Sequence, residues 1–311
     1  MKKALKIIGK VLLVLLILDL LAILGIFLYH RIQLSKEKPL VEAPLGQLVE
    51  VDGHNMSIYT EGEGEHTLVF LSGWGVAAPI LDFRTLYSRL SDEYRIVVIE
   101  KFGYGFSDDV DSERSFDTIL RQDREALSKA GIEGPYILCP HSLSGLEALY
   151  WAQSYPDEVE AVVGLDMSLP LNCDETDQAD MKDSYQLNKW FNRLGFFRVM
   201  NIDGMLDALH AGTLTDEEKA VYRALVYANT GNTAVGNEAA DTIHIAETIE
   251  NAPKPEVPML LFIMDKKTEE QAYASDTLGA KVIPLDCGHY VHILKADTVS
   301  QEMQAFIADL H

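Results

Sequence analysis

A serine placed where a strand turns sharply into a helix is the residue of this chain best suited to nucleophilic chemistry. Ser142 lies in the segment Tyr136–Gly145 (YILCPHSLSG), in which an apolar, strand-like run is followed by a helix-like stretch. Such a turn exposes the serine hydroxyl and crowds its own backbone, so the residues two positions before and after it must be compact. Pro140 and Ser144 occupy those positions. Ser142 is therefore a candidate nucleophile, the alternative being an ordinary turn serine.

A serine hydroxyl needs a base near neutral pH, and a histidine close to the C-terminus can supply one. His289 follows Gly288 in Pro284–His292 (PLDCGHYVH), a loop after a predicted strand. His292 is the competing histidine, but its position predicts that it begins the last helix and packs there. The two histidines also suggest a metal site, yet no nearby set of Cys, His or Asp completes one in the sequence. We expect His289 to be the base and expect no metal or cofactor.

A glycine-rich turn after another predicted strand is suited to stabilising negative charge on a substrate oxygen. The segment Leu71–Gly75 (LSGWG) follows the apolar run TLVFL. Its Trp74 backbone amide, together with the amide of Leu143 directly after the candidate nucleophile, would form an oxyanion hole. The alternative is a tight strand–loop turn, which the glycines alone would explain.

Apolar runs that alternate with amphipathic stretches must position these residues. Six aliphatic or β-branched runs, bounded by turn residues, predict strands buried on both faces of a parallel sheet: Thr67–Leu71, Ile96–Ile99, Tyr136–Cys139, Ala161–Leu165, Met259–Met264 and Lys281–Pro284. Helical stretches lie between and after them, at Phe83–Leu90, Thr118–Ala130, Gly145–Ser154 and Ala296–Leu310. This alternation is typical of an α/β fold with right-handed crossovers.

The alternation stops between Leu169 and Pro258, where the sequence predicts a helical insertion. Its helical stretches are Met181–Leu194, Asp203–His210, Asp216–Asn229 and Asn237–Asn251. Thr215, followed by three acidic residues, predicts the N-cap of the third of these helices. We expect the insertion, at about 169–257, to form a cap over the site. The alternative is a helical elaboration with no role in access.

The N-terminal residues have the composition of a membrane anchor. Residues 11–29 (VLLVLLILDLLAILGIFLY) contain one charge, at Asp19, and are long enough to span the hydrocarbon core as a helix. Four lysines precede them and no small-x-small cleavage site follows, which favours an uncleaved signal anchor at 1–31 over a cleaved signal peptide. We expect a polar linker at 32–47 and one α/β domain at 48–311. The small excess of basic residues before the span favours a cytoplasmic N-terminus and an extracytoplasmic body.

The charge of the chain is divided between these two parts. The sequence has 26 basic and 48 acidic residues, a formal net charge of −22. Residues 1–38 carry seven basic and two acidic residues, a net charge of +5, so the remainder carries −27. Phosphate contacts need basic surfaces, so an acidic body argues against a nucleic-acid partner. The composition also excludes collagen, low-complexity disorder and a disulfide scaffold.

Four of these segments, taken in order along the chain, resemble the α/β-hydrolase superfamily. They are LSGWG, EKFGYGFSD at Glu100–Asp108, PHSLSG and CGHYVH, and the resemblance covers roughly residues 48–311. The second is similar to the D-x-x-G-x-G-x-S-D turn of the branch that includes proline iminopeptidases and small esterases. The resemblance implies Ser142 as nucleophile, His289 as base, Trp74 and Leu143 as oxyanion donors, and a helical cap. A serine at the elbow disfavours the members with an Asp nucleophile, the dehalogenases and epoxide hydrolases.

Two departures from the family pattern concern the oxyanion loop and the acid that orients the histidine. Ser72-Gly73 stands where the family has His-Gly. A lysine occupies the position of the acid after the strand MLLFIM, and Asp265 lies two residues too early. Asp166, after the strand that precedes the cap, is the alternative, because some lipases of the superfamily place their acid there. We favour Asp166 over Asp265, with Glu269 and Glu270 as remote options.

The sequence thus predicts a membrane-anchored serine hydrolase that cleaves an ester, amide or thioester through an acyl-enzyme. The partners expected are a small-molecule substrate and, through the N-terminal helix, the cell membrane. Two alternatives stay open: an aminopeptidase of the proline-iminopeptidase type, and a non-catalytic binding protein on a hydrolase fold. The identity of the substrate and the oligomeric state are not predicted.

Overall fold

The computed structural model describes residues 2–310, and it begins with one long helix, α1 (Lys2–Val41). By length and hydropathy α1 is sufficient to cross a membrane. Residues 2–22 are exposed on all sides of the helix. From Ile23 onward, part-buried residues recur at helical spacing, because one face of α1 packs on the rest of the protein.

The structure differs from the expected linker at 32–47. Residues 32–41 continue α1 without interruption. Although residues 32–41 have a polar composition, Leu34 and Val41 are apolar. Both pack against a buried apolar cluster that includes residues of the helical insertion. Only a short connection, 42–46, joins α1 to the first strand.

Eight strands form a single, mostly parallel sheet. They are β1 (Gln47–Val51), β2 (His54–Glu61), β3 (Thr67–Leu71), β4 (Arg95–Glu100), β5 (Tyr136–Pro140), β6 (Val159–Leu165), β7 (Met259–Met264) and β8 (Lys281–Leu285). Their spatial order is β1-β2-β4-β3-β5-β6-β7-β8. β2 runs antiparallel to both β1 and β4, and all the other neighbours are parallel. The predicted fold class and all six predicted strands are confirmed.

The hairpin formed by β1 and β2 was not predicted. Polar and apolar residues alternate in part of each strand, at 49–51 and 55–58, and β1 is the edge strand of the sheet. They are joined by Asp52 and Gly53, whose φ values are +52° and +79°. An Asp-Gly pair with positive φ is a strong signal for a two-residue hairpin turn, so the sequence did contain the necessary signal.

Helices cover both faces of the sheet. In chain order they are α2 (Pro79–Asp82), α3 (Arg84–Tyr87), α4 (Phe116–Lys129), α5 (Ser144–Ser154), α6 (Glu175–Arg193), α7 (Phe196–Met200), α8 (Asp216–Asn229), α9 (Thr233–Glu238), α10 (Thr242–Asn251), α11 (Thr268–Ala272), α12 (Val291–Leu294) and α13 (Ala296–Ala308). A π-helical turn at Tyr273–Thr277 and short 3₁₀ turns at Pro156–Glu158, Pro170–Asn172, Ile202–Met205 and Asp207–Leu209 complete the set. Two buried apolar clusters lie on opposite faces of the sheet, one under α4 and α5 and one under α2, α3 and α13.

The insertion between β6 and β7 is helical, as predicted, and comprises α6 to α10. Thr215 accepts a hydrogen bond from the Glu218 amide and forms a capping box at the start of α8. The stretch Asn237–Asn251, expected to be one helix, is divided into the end of α9 and α10. A third apolar cluster joins this cap to α2 and to the last turns of α1.

Candidate active site

The carboxyl ends of β3, β5 and β6 bring the predicted site segments together. Leu71 pairs with Pro140, and His141 forms a bridge to Leu165. The residues that follow these three strands are therefore neighbours at one edge of the sheet. Ligand sites of parallel α/β sheets lie at this edge.

Ser142 occupies a strained turn between β5 and α5. Its φ is +54°, a left-handed conformation that a serine rarely adopts without support from its surroundings. The backbone of Gly73 approaches so closely that a Cβ there would lie 2.7 Å from the Ser142 Cβ. A Cβ on Gly145 would lie 2.3 Å from the Ser168 carbonyl oxygen. The turn therefore holds a half-buried hydroxyl beside the glycine-rich loop.

The serine that replaces the second elbow glycine has a structural role of its own. Ser144 is buried, and its Oγ donates to the Leu71 carbonyl oxygen at 2.7 Å. The same Oγ accepts a hydrogen bond from the His141 amide at 3.1 Å. This hydroxyl ties the elbow to the end of β3, which explains why the family pattern can be broken here.

His289 and Asp166 form a close pair next to the elbow. The His289 Nδ1 lies 2.5 Å from the Asp166 Oδ2, and the other carboxylate oxygen accepts from the Met264 amide at 3.1 Å. Asp166 is buried, whereas the His289 side chain is 40% exposed. Such a contact fixes the ring orientation and leaves Nε2 available for proton transfer.

Lys267 stands at the position where the family pattern places the acid, and it contacts Asp166 instead. Its Nζ lies 2.9 Å from the Asp166 Oδ2. Burial alone would raise the pKa of the Asp166 carboxyl, but the hydrogen bonds from His289 and Lys267 lower it below its ordinary value. Asp166 is therefore ionised at neutral pH.

The structure does not bring Asp265 to the histidine. Its side chain is exposed, and its amide donates to the Leu285 carbonyl oxygen at 2.9 Å. Within residues 2–310 its carboxylate makes no hydrogen bond or ion pair with a side chain. Of the remote options, Glu270 accepts from Asn172 at 3.2 Å. The geometry favours Asp166.

The two amides expected to bind an oxyanion flank Ser142. Leu143 precedes the first residue of α5, and Trp74 follows the glycine that touches the Ser142 Cβ. Neither amide donates a hydrogen bond to another group within residues 2–310. The Trp74 indole donates to the Val235 carbonyl oxygen of α9 at 2.8 Å, so the loop is attached to the cap. A cavity of about 120 Å³ adjoins Trp74, and its other wall includes Tyr185 of α6 and Val235.

A cluster of buried histidines behind His289 was not foreseen. The His141 ring lies 4.6 Å from the rings of both His289 and His292. Burial and these two rings hold the pKa of His141 well below its usual range, so the ring is neutral and its Nε2 faces the His289 carbonyl oxygen at 3.3 Å. His292 packs as expected, but in α12 rather than in the last helix, with its Nε2 3.0 Å from Asp82. Tyr222 of the cap donates to the same carboxylate at 3.0 Å.

A second buried network lies on the other side of α5 and joins the body to the cap. The Lys101 Nζ lies 2.7 Å from Glu238 of α9 and 3.4 Å from Glu147 of α5. Burial and the neighbouring Glu147 raise the pKa of Asp123 well above its usual value. The sequence did not predict this network, because contacts of this kind depend on tertiary packing.

Comparison with known proteins agrees with this architecture. A family model described as alpha/beta hydrolase fold matches residues 66–296. An uncharacterized protein, YbdG of Bacillus subtilis, is 33% identical over 309 residues, which cover 93% of this chain and 94% of that protein. A pimeloyl-[acyl-carrier protein] methyl ester esterase of Aliivibrio salmonicida is 32% identical over 104 residues, 33% of this chain and 36% of that enzyme.

Solved structures share the fold at low sequence identity. A mutant epoxide hydrolase from Bacillus megaterium in complex with its product superposes with a TM-score of 0.66 at 16% identity, over 85% of this chain and 100% of that chain. At such identity the likeness concerns the fold alone. With the family match covering most of the chain, the predicted enzyme class is confirmed: the chain is a hydrolase that belongs to the α/β-hydrolase family.

Proposed function

We propose that this hydrolase is a serine enzyme that cleaves an ester, amide or thioester through an acyl-enzyme on Ser142. The observation that carries the proposal is the strained Ser142 elbow beside the His289–Asp166 pair, whose heavy atoms lie 2.5 Å apart. The superfamily members with an Asp nucleophile need a carboxylate at the elbow, and this chain has a hydroxyl there. The esterases among its relatives support an ester as the first substrate to test.

The proposed reaction proceeds in two half-reactions. His289 accepts the Ser142 Oγ proton while Oγ attacks the carbonyl carbon, and the carbonyl electron pair moves to oxygen. The Trp74 and Leu143 amides stabilise that oxyanion. Its collapse expels the leaving group, which takes the proton from His289. Water then attacks the acyl-enzyme in the same way, and Asp166 stabilises the imidazolium in both steps.

Labelling with a fluorophosphonate probe tests the nucleophile. We expect the wild type to be labelled and Ser142→Ala to be unlabelled and inactive on short-chain nitrophenyl esters, because the alcohol that becomes acylated is gone. Ser154→Ala, at the exposed far end of α5, is the matched control and keeps both signals. Equal labelling of Ser142→Ala would refute the proposal, and a wild type that neither reacts nor hydrolyses esters or aminoacyl amides would favour a binding protein.

We also propose that α1 anchors this enzyme in the cell membrane, with its body outside the cytoplasm. The uniform exposure of residues 2–22 supports this, because a core helix of a soluble protein buries one face. The four lysines before the apolar run favour a cytoplasmic N-terminus. Protease added to intact cells should digest the body and spare a tag at the N-terminus. Complete protection of the body would reverse the orientation.

A further inference from the structure

The last turns of α1 are locked to the cap. The Gly195 backbone lies so close that a Cβ there would be 2.6 Å from the His30 Cβ and 3.1 Å from the Ile26 carbonyl oxygen. Arg198 of α7 donates to the His30 Nδ1 at 2.9 Å and to Glu37 at 2.8 Å. Its guanidinium also stacks 3.9 Å above the Tyr227 ring. The cap and α1 are therefore fixed relative to each other.

This contact places part of the cap at the depth of the membrane interface. The apolar run of α1 extends to Tyr29, and Arg31 is the first charged residue after it. Gly195 contacts Ile26, which lies about 7 Å before Arg31 along the helix axis. Interfacial protein segments bury their apolar faces about 5–10 Å into the boundary between headgroups and acyl chains. The end of α6 and the start of α7 lie at that level.

Apolar side chains are exposed on the cap at this place. Five large ones form what we call the cap face: Leu187 (58% exposed), Trp190 (55%), Val199 (52%), Met200 (59%) and Met205 (78%). Outside α1, these are the only large apolar side chains in residues 2–310 that are more than half exposed. All five belong to residues 187–205, the segment of the cap that contains Gly195, and exposed apolar surface of this kind marks an interaction site.

The polar residues around the cap face also suit a lipid surface. The exposed Arg193 lies with its guanidinium 5.9 Å from the Trp190 ring. Tryptophan and arginine side chains prefer the headgroup region, where apolar and charged parts are both satisfied. The cap face continues the surface of a helix that already enters the membrane, whereas the acidic body would be repelled by anionic headgroups. Contact through apolar side chains does not depend on lipid charge.

A groove with walls more polar than apolar lies on the side of the cap that faces α1. It has a volume of about 440 Å³ and lies between α1 and the cap, with Phe27, His30 and Leu34 on its α1 wall. Thr230 and Gly231 line it and also line the 120 Å³ cavity that adjoins Trp74. The two cavities are therefore neighbours, one against α1 and the other against the candidate oxyanion loop.

We propose that the cap face rests in the headgroup layer of the bilayer that α1 crosses, and that the enzyme takes lipophilic substrates from that leaflet. The proposal rests on the membrane anchoring and the serine chemistry proposed above. It identifies the partner of the cap face as the lipid surface. It also identifies the substrate class as esters or related acyl compounds that partition into membranes.

Quenching of Trp190 by brominated lipid tests the docking. The full-length protein is reconstituted in phosphatidylcholine vesicles with or without bromine on the acyl chains, and the Trp190 emission is the difference between wild type and Trp190→Phe. We expect brominated lipid to cause a loss of this emission. The matched control is Leu48→Trp in the Trp190→Phe background, because β1 begins beyond the end of α1 and its tryptophan should keep its emission.

The same samples separate docking from anchoring. If the protein floats with the vesicles but Trp190 emission is the same in both lipids, the cap face does not touch the bilayer and only the anchoring stands. If the protein does not float, both proposals fail. If a second copy of the chain covers the cap face, brominated lipid will not reach Trp190 and its emission will not change. That result also overturns the docking.

Charge placed on the cap face tests the substrate class. For the double variant Val199→Glu/Met200→Glu, we expect a fall of about tenfold in the ratio of hydrolysis of a long-chain ester in vesicles to that of a short soluble ester. Leu48→Glu, on the edge strand, should leave this ratio unchanged. An unchanged ratio in the double variant overturns the proposed delivery from the membrane. A wild type that hydrolyses neither ester refutes the ester substrate class. Fluorophosphonate labelling then decides the serine chemistry, and the quenching result decides the docking by itself.

Discussion

Lys267 occupies the position at which the family pattern has an acid, and Asp166 contributes a carboxylate from the neighbouring strand instead. The favoured acid, Asp166, follows β6, and a lysine stands after β7 where the family pattern places the acid. The Lys267 ammonium, 2.9 Å from Asp166, compensates for part of the cost of burying a carboxylate beside the histidine. The missing acid after β7 is thus accompanied by a carboxylate after β6, the strand next to it.

Removal of the Asp166 charge should strongly reduce activity. We expect Asp166→Asn to lower kcat by about 10³–10⁴-fold, because an amide would favour the wrong tautomer of His289 and would not stabilise its cation. Asp265→Asn is the control and should leave kcat within about twofold. The measurement is the steady-state hydrolysis of a soluble ester. Full activity in both variants would mean that neither residue orients the histidine.

The residues with a local motif could be predicted from the sequence, and those without one could not. The sequence around Ser142 shows its turn, and the Gly288-His289 pair after a predicted strand marks the histidine. The choice between Asp166 and Asp265 needed the distance to His289. The sequence predicts no role for His141, although it adjoins Ser142, because only the fold places its ring 4.6 Å from the ring of His289.

At the scale of elements, Glu100 connects the end of β4 to the turn that follows it and to the start of α2. Its Oε2 accepts from the Phe106 amide at 2.9 Å, and its Oε1 accepts from the Ile80 amide at the start of α2 at 3.4 Å. Gly105, at φ +51°, comes so close that a Cβ there would overlap the carboxylate, 1.9 Å from Oε1. Burial raises the pKa of Glu100 to about 7, more than its hydrogen bonds lower it.

Protonation of Glu100 makes stability depend on pH. Because the folded pKa exceeds the unfolded value of 4.5, the favourable contribution is complete below pH 4.5 and is lost as pH rises to about 7. Glu100→Gln cannot ionise, so the wild type should lose about 3 kcal/mol relative to it over this range. Urea unfolding at a series of pH values measures the difference. A difference in the free energy of unfolding between the two proteins that stays constant with pH would contradict the raised pKa of Glu100.

The accuracy of the element predictions followed the burial of each element. β3 and β7, buried on both faces, were predicted to the residue, because a short, continuous apolar run is typical of a strand in the middle of a parallel sheet. The hairpin of β1 and β2 escaped notice because half of its residues face solvent. The polar composition of residues 32–41 predicts a linker, because their apolar face is narrow. These residues are helical in the structure, where Leu34 and Val41 pack on the cluster shared with the cap.

At the scale of the whole molecule, the cap is held from two sides. Arg198 fastens α7 to α1, and the buried ion pair between Lys101 and Glu238 fastens α9 to the body. Buried ion pairs tolerate little loosening, because separation leaves each charge without a partner. The charge of the sequence is also unevenly divided between the N-terminal segment and the body. Basic residues precede the apolar run, and acidic residues predominate in the body.

With α1 across a membrane, as proposed above, its unbroken path would determine how far the candidate site stands from the lipid. Twelve residues of rigid helix, from His30 to Val41, rise about 18 Å beyond the apolar run before the chain turns into the sheet. A flexible tether would allow many distances between the apolar run and the sheet, whereas a rigid helix fixes one distance. Under the proposal of a membrane substrate, an acyl bond held in the leaflet would be selected by its distance from the membrane as well as by its chemistry.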